Sequence, residues 1–537
     1  MKKLGLLVLA ALLVGNTQAQ NTTPNQIIPQ DFQFYQKLNK SVYSQDQKFH
    51  SAIRGYYADH SLLKLRYDSL MSIGVDTLNR GTWGERKLFK EHLLEFRNDD
   101  YFIYADYLPD LLVGREFDES KTTWLNTRGF QVGGNIGQQF SFYLNGFENQ
   151  GKFAKYYNDF VVRNQVVPGQ GYGKLATETQ DWSYVTALLS YTPNKYLNLA
   201  LGYDKNFIGD GYRSMLLSDN ASNYSFLRAR ATVGSIQYQT IFAYMLDPGA
   251  PKLASDRRLG DRGKWMAAHY LDVNITKKLS VGFFQAVTWA DAEVEGKRGF
   301  DFNYIHPFVF LRPIESTNTT SPDKMRIGLN AKYEILKNTA LYGQFMFDEF
   351  TAKEFFSKNG YWANKWAIQL GFRGSDLFKV ERLNYLAEFN TARPYTYAHS
   401  ERLSNYASFN QPLAHPFGAN FREFLGLLNY SIGRFDFQGQ LVYAKYGVDV
   451  NGANFGKDIF KSYNIRAADY GNSIAQGLAT NLYIANAKAA YVINPKYNLR
   501  LEAGAIFRQE KNSLINDKTT MITFGLRSSF RNIYQDF

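Results

Sequence analysis

Met325-Arg-Ile-Gly-Leu-Asn-Ala-Lys-Tyr-Glu-Ile335 alternates without a slip. Met325, Ile327, Leu329, Ala331, Tyr333 and Ile335 fall on one side of an extended chain, and Arg326, Gly328, Asn330, Lys332 and Glu334 on the other. Successive side chains of a strand point to opposite faces, so the segment carries one apolar wall and one charged wall. Leu499, Leu501, Ala503, Ala505 and Phe507 repeat the pattern against Arg500, Glu502, Gly504 and Arg508. An exported sandwich or solenoid would alternate too, with one dry face. The arginines separate the two readings. Arginine in hydrocarbon costs roughly 2–4 kcal/mol at mid-bilayer, and Arg228, Arg230, Arg326, Arg382, Arg500 and Arg508 all avoid the more apolar face. The expected fold is all-β transmembrane: an outer-membrane antiparallel β-barrel with lipid on its apolar wall and a wet lumen on its charged one.

The start of the chain agrees. Lys2 and Lys3, the apolar run Leu4 to Val14 and Thr17-Gln18-Ala19 read as an export signal, cleaved before Gln20. Its apolar run is too short for a spanning helix. Removing residues 1–19 takes away two lysines and no acid, so the formal charge falls from +12 to +10. There is no cysteine, which excludes a lipid-anchored Cys after the signal, a disulfide framework, iron–sulfur clusters and thiol catalysis. Past the signal no apolar run reaches membrane-helix length. Tyr (38) and Phe (42) are abundant, as aromatic girdles at two membrane interfaces require. The run Phe530 to Phe537 ends in an aromatic, as the last strand of outer-membrane barrels often does.

Three regions follow: the signal at 1–19, a polar segment with a helical element at 20–98, and the barrel at 99–537. Thr82-Trp-Gly-Glu85 is a capping box, and Leu88, Phe89, Leu93, Leu94 and Phe96 continue it as a helical apolar face. This element either sits on the periplasmic side, packed under the wall, or plugs the barrel. From Tyr101 onward, short connections at 192–195, 233–235, 276–278, 336–338, 432–434 and 494–496 carry Pro, Gly and Asn. They alternate with long ones near 149–181, 205–222, 247–263, 291–323, 350–362, 391–418 and 447–477. Short turns inside and long loops outside is the outer-membrane pattern, and the arms add up to about 16 to 18 strands, with 18 the expected number. A barrel of that size has a lumen, which loops or the N-terminal part must fill if it is closed.

Enzyme motifs are missing: there is no Gly-x-Ser-x-Gly, phosphate loop or His-Glu-x-x-His. The expected protein is not an enzyme and takes no cofactor or metal. His306, His399 and His415 lie in long loops with Glu315 and Glu423, where a folded cluster could form, although a hydrogen-bonded loop histidine is commoner. Three loop segments combine rigid and polar residues. They are Lys205 to Asn220 (with Asp210, Tyr212, Arg213, Asp219 and Asn220), His306 to Glu315 (with Arg312), and Arg393 to Asn420 (with Tyr395, His399 and His415). Either these residues close the lumen through a buried polar network, or they form a carbohydrate surface of stacked rings and hydroxyl-reading polar groups. A basic rim would draw anionic glycans or lipid phosphates. Export removes nucleic acid as a partner.

Phe49-His-Ser-Ala-Ile-Arg54, Arg86-Lys-Leu-Phe-Lys-Glu-His92, Trp124-Leu-Asn-Thr-Arg-Gly129, Val167-Pro-Gly-Gln-Gly171, Gly209-Asp-Gly-Tyr-Arg-Ser214 with Leu217-Ser-Asp-Asn220, Arg393-Pro-Tyr-Thr-Tyr397 and Leu413-Ala-His-Pro-Phe-Gly-Ala-Asn420 together resemble the RemB family of gliding-motility outer-membrane proteins. The likeness runs from about residue 49 onward. The segment before Ser218-Asp-Asn220 resembles, more distantly, the capsule-assembly Wzi family. That resemblance implies an 18-stranded surface barrel with a helical periplasmic element that binds exported polysaccharide. The combined expectation is a non-enzymatic barrel of the outer membrane, embedded in its lipid. It would bind surface polysaccharide or a motility or secretion-machinery protein and support gliding or capsule attachment. The competing expectation is a porin or substrate-specific channel.

Overall fold

The computed structural model describes residues 25–44, 48–74, 81–171, 173–175, 178–253, 260–293, 296–306 and 323–537. The expected export signal lies outside them, as do Arg312 and Glu315. An antiparallel wall of 18 strands closes on itself. Its strands are β1 Tyr101–Glu116, β2 Lys121–Ile136, β3 Phe140–Lys152, β4 Gln180–Asn194, β5 Leu197–Asp204, β6 Tyr224–Val233, β7 Ile236–Asp247, β8 Arg262–Asn274 and β9 Leu279–Ala290. They continue as β10 Lys324–Leu336, β11 Thr339–Glu349, β12 Lys365–Gly374, β13 Leu383–Ala392, β14 Phe421–Ile432, β15 Phe435–Val448, β16 Leu478–Asn494, β17 Leu499–Lys511 and β18 Asn516–Arg527. β18 returns to β1 in the register Leu111↔Leu526 to Glu116↔Met521. Closure matters because hydrocarbon offers no partner to a bare backbone edge. Among the described residues no helix is long and apolar enough to cross a membrane.

The wall is inside-out relative to a water-soluble protein. On β10, Leu329 is 40 % exposed while Arg326 is 0 % and Lys332 2 % exposed. The next strand keeps the phase: Leu329 faces Phe345 on the outside, and Asn330 faces Gln344 on the inside. Phe283, Leu341, Leu370, Phe424 and Phe524 extend the outer apolar belt. Such a belt is stable only against lipid.

Short turns at 137–139, 195–196, 234–235, 275–278, 337–338, 433–434 and 495–498 share one rim with 375–382 and with both ends of the barrel. Gly234 and Gly433 carry φ of +61° and +56°, the left-handed backbone that two-residue hairpins need. The long connections 153–179, 205–223, 248–261, 291–323, 350–364, 393–420 and 449–477 all leave from the opposite rim. Turn chemistry thus sorts the rims into periplasmic and extracellular.

The N-terminal region divides in two. Residues 25–44 and 48–74, with helices α1 Phe32–Gln36, α2 Asn39–Val42 and α3 Lys64–Met71, enter the lumen and plug it. Lys37 pairs with Asp436 of β15 at 2.6 Å and His50 with Asp272 of β8 at 2.6 Å. Arg230 of β6 donates to the carbonyls of Arg54 and Gly55 at 3.0 Å each. The Arg54 guanidinium stacks 3.5 Å from the Phe207 ring centre. Helix α4 Trp83–Phe89 has the expected capping box, but the helix stops at Phe89. Leu94–Arg97 is instead a strand, paired with β1 residues 102–105. The reason is non-local: β18 ends at Arg527, leaving the lower edge of β1 without a neighbour, and a strand covers it.

Two other expectations are corrected. Arg382 is not on a strand; it lies in the 375–382 turn with φ +66° and is exposed. Phe537 is not on the last strand either, because residues 528–537 fold back into the barrel. There the Phe537 ring sits 4.4 Å from Phe160 on helix α5 Lys155–Asn164, and its carbonyl accepts from Arg508 at 3.2 Å.

Candidate functional site

Two clusters of polar and aromatic side chains stand out, one in the lumen and one on the extracellular face. The lumenal cluster is built where the 205–223 loop dips inward against β11–β14 and the plug. Arg213, 2 % exposed, reaches Glu423 at 3.1 Å and Asp536 at 3.0 Å. Glu423 also accepts from His415 at 2.7 Å and from Asn390 at 2.8 Å. Glu388 accepts the backbone N–H groups of Tyr212 and Arg213 and the Tyr342 hydroxyl, the last at 2.7 Å. Asp210 takes Ser51 at 2.6 Å and Tyr43 at 3.2 Å from the plug, and Asn330 from the wall at 3.2 Å. Asp219 takes Asn532 and Tyr534 of the C-terminal tail at 2.6 Å each. Buried charges without partners are costly, so this dense pairing is the condition for filling the lumen with polar residues at all. Its chemistry is consumed internally: these groups bind the loop, plug, tail and wall to one another.

The extracellular cluster forms where loops 350–364 and 449–477 are zipped together by backbone bonds. Trp362 N donates to Asp469 O, Gly471 N to Asn359 O, and Asn472 N to Gly360 O, at 2.9 Å each. On this frame the Tyr361 and Tyr470 rings lie 5.3 Å apart at 39°, and Trp362 and Tyr463 lie 4.9 Å apart at 41°. Arg466 stacks over Trp362 at 4.2 Å. Tyr470 is 53 % exposed. Asn464 and Asp469 are exposed beside the rings. His399 meets the edge of Tyr463 at 5.6 Å. Burial and the nearby cations Arg326, Lys324 and Lys365 push its imidazole down to about 4, against one favourable carboxylate, Asp348. A rigid array of ring faces edged by amide, carboxylate and guanidinium groups presents apolar area and directional hydrogen bonds side by side.

The residues singled out in the sequence divide between the clusters. Asp210, Tyr212, Arg213, Asp219 and His415 join the lumenal network. Arg393, Tyr395 and Asn420 brace the platform from below. Arg393 donates to the carbonyls of Tyr361 and Asn472 at 3.3 and 3.4 Å, Tyr395 to Asn454 O at 2.9 Å, and Asn420 to Gly447 O and Gln476 O at 3.0 Å each. Asn220 ties its loop to Pro412 O at 3.2 Å, and His399 lies at the platform's edge. His399 and His415 are not brought into one cluster, and among the described residues no three metal-capable side chains converge. The platform rings Tyr361, Trp362, Tyr463 and Tyr470, of which Tyr470 is exposed and the others half-buried, escaped the sequence reading. Their only local signal is the density of aromatics in Tyr361-Trp362 and Tyr463 to Tyr470.

No known protein family matches the chain, and no curated protein does so. Solved structures do. One is described as Wzi, an outer membrane protein involved in group 1 capsule assembly in Escherichia coli and a carbohydrate-binding β-barrel. It is 14% identical, with 79% of this chain and 85% of that chain covered and a TM-score of 0.48. OprD of Pseudomonas aeruginosa is 10% identical over 79% and 94% of the two chains, with a TM-score of 0.41. OccAB2 of Acinetobacter baumannii is 8% identical over 79% and 97%, also with a TM-score of 0.41. At such identities the likeness concerns fold alone.

Proposed function

We propose that this outer-membrane barrel is a non-enzymatic binding protein that holds surface polysaccharide on its extracellular aromatic platform. The observation that carries the reading is the pairing of a lumen packed with loop, plug and tail with a braced set of rings on the long-loop face, three half-buried and Tyr470 exposed. Sugar rings offer C–H faces to aromatics and hydroxyls to Asn464, Asp469 and Arg466. Gliding motility or capsule attachment is the setting that the RemB-like and Wzi-like segments imply, with motility or secretion-machinery proteins as further partners. The test is retention of extracted surface polysaccharide by the purified protein and by Tyr470→Ala and Tyr361→Ala variants. Weakened binding in both supports the reading, and wild-type binding in both defeats it. A deletion strain scored for spreading motility and capsule retention then separates the two settings.

A further inference from the structure

The plug, the loops and the tail leave part of the lumen unfilled. Beside β1–β5 a cavity of about 810 Å³, continuous with solvent, runs from Gln26 and Ser141 near the periplasmic rim up to Arg531 of the tail. Arg531 forms its roof, tied to Asp110 at 3.0 Å and stacked 3.9 Å from the Phe147 ring centre. The pocket is therefore entered from the periplasmic side.

Strand register builds its wall. Asp106 of β1 stands opposite Gln131 of β2, Gln131 opposite Asn145 of β3, and Asn145 opposite Thr186 of β4. All four face the lumen, so they form one polar row that crosses the wall in steps of about 4.8 Å. Gln131 gives its amide N–H to Asp106 at 2.7 Å, and Asn145 gives its own to Thr186 at 2.7 Å. That leaves both amide oxygens without a partner among the described residues, and neither is sealed from solvent. Both residues are half-buried. Thr186 accepts from Asn145 and keeps its hydroxyl proton to give. Alternation along the strands sets Tyr184 one row above, and Tyr104 and Tyr143 one row below; all three line the same space. Asp204 and Asp219 balance Lys205 and Arg531, so the lining carries no net formal charge. Open amide oxygens beside aromatic rings, in a pocket without net charge, suit the hydroxyls and C–H faces of a small uncharged ring better than any ion.

We propose that this lumenal pocket is a second ligand site, which takes a small neutral sugar from the periplasm. Sugar hydroxyls donate to the amide oxygens of Gln131 and Asn145, and Thr186 donates back. The site is separate from glycan binding on the outer platform and does not rest on it. The experiment is saturation-transfer NMR on the full-length protein in a sugar-free detergent. D-glucose, D-galactose and D-mannose are the neutral probes, and D-glucuronate is the charged comparator. At least one neutral sugar should bind, and glucuronate about tenfold more weakly than the best of them. Tyr470→Ala, which alters only the platform, should leave this binding as it is. Asn145→Leu removes an open oxygen and should weaken it about tenfold. Thr186→Trp fills the space and should abolish it. The proposal is overturned if no neutral sugar binds, or if glucuronate binds equally well. It is also overturned if Tyr470→Ala removes the signal, which would assign the sugar to the platform. Either pocket variant, once folded, overturns it by binding sugar like the wild type.

Discussion

Arg213 and Arg393 sit in loops of similar composition, yet they do opposite work. Arg213 is sealed in the lumen against Glu423 and Asp536. Arg393 spends its donors on the carbonyls of Tyr361 and Asn472 and so holds a solvent-facing platform in shape. Side-chain chemistry alone does not separate a structural network from a recognition surface. What separates them is whether the protein itself has already satisfied the polar atoms. Around Arg213 the carboxylates take their donors from within the protein; at the platform Tyr470 and the neighbouring Asn464 and Asp469 are open to water.

The difference can be pressed hardest in the lumen. Arg213→Ala leaves Glu423 and Asp536 buried without their cation, a loss of about 3–5 kcal/mol. Folding yield and the denaturant midpoint of the barrel should both fall, and a midpoint equal to wild type would mean the network is not stabilising. Next comes the wall. Leu329→Arg puts a charge at mid-height on the lipid face, at roughly 2–4 kcal/mol. Leu329→Ala should be distinctly milder in the same lipid-vesicle unfolding assay. At the platform the sign of the contrast reverses. Tyr470→Ala should weaken glycan binding by roughly 1–2 kcal/mol and change stability by no more than about 0.5 kcal/mol, so paired binding and melting data on one preparation test both halves. The smallest effect is titration at His399. Its folded value near 4 lies below the ordinary 6.5, so the unfolded chain takes up the proton first. Stability contributed by this residue is intact above 6.5 and drains away as pH falls from 6.5 to 4. Limited proteolysis of the 393–420 loop should quicken over that window, and His399→Gln should flatten the response.

Much of the wall was legible because its period is two and its chemistry is binary. Met325 to Ile335 keeps its phase in the folded barrel residue by residue. The short turns and long loops fall on opposite rims as their composition implies. The capping box at Thr82 is also local and readable. What sequence could not give was non-local. Leu94–Arg97 carries a helical apolar spacing but becomes a strand, since β1 has an edge to cover. The 528–537 segment looks like a terminal strand until the lumen supplies partners such as Asp219 and Arg213 for its polar groups. The loop residues singled out divide between the lumenal network and the hydrogen-bonded frame beneath the extracellular rings. The rings of the platform come from two loops about a hundred residues apart, a spacing that has no signature in one chain.

The closing joint between β1 and β18 engages only residues 111–116 and 521–526, whereas β1 runs alongside β2 over its whole length. A cylinder under lateral pressure parts where its fastening is shortest. Below this joint Ser528 donates to the Pro109 carbonyl and Arg527 and Arg531 hold Asp110, and the lower edge of β1 is clasped by the Leu94–Arg97 strand, itself tethered through α4 by Asn494 donating to the carbonyls of Lys87 and Glu91. Undoing that clasp would unzip the hoop from its inner rim upward, and amide exchange in β1 residues 102–105 should be where loosening first registers.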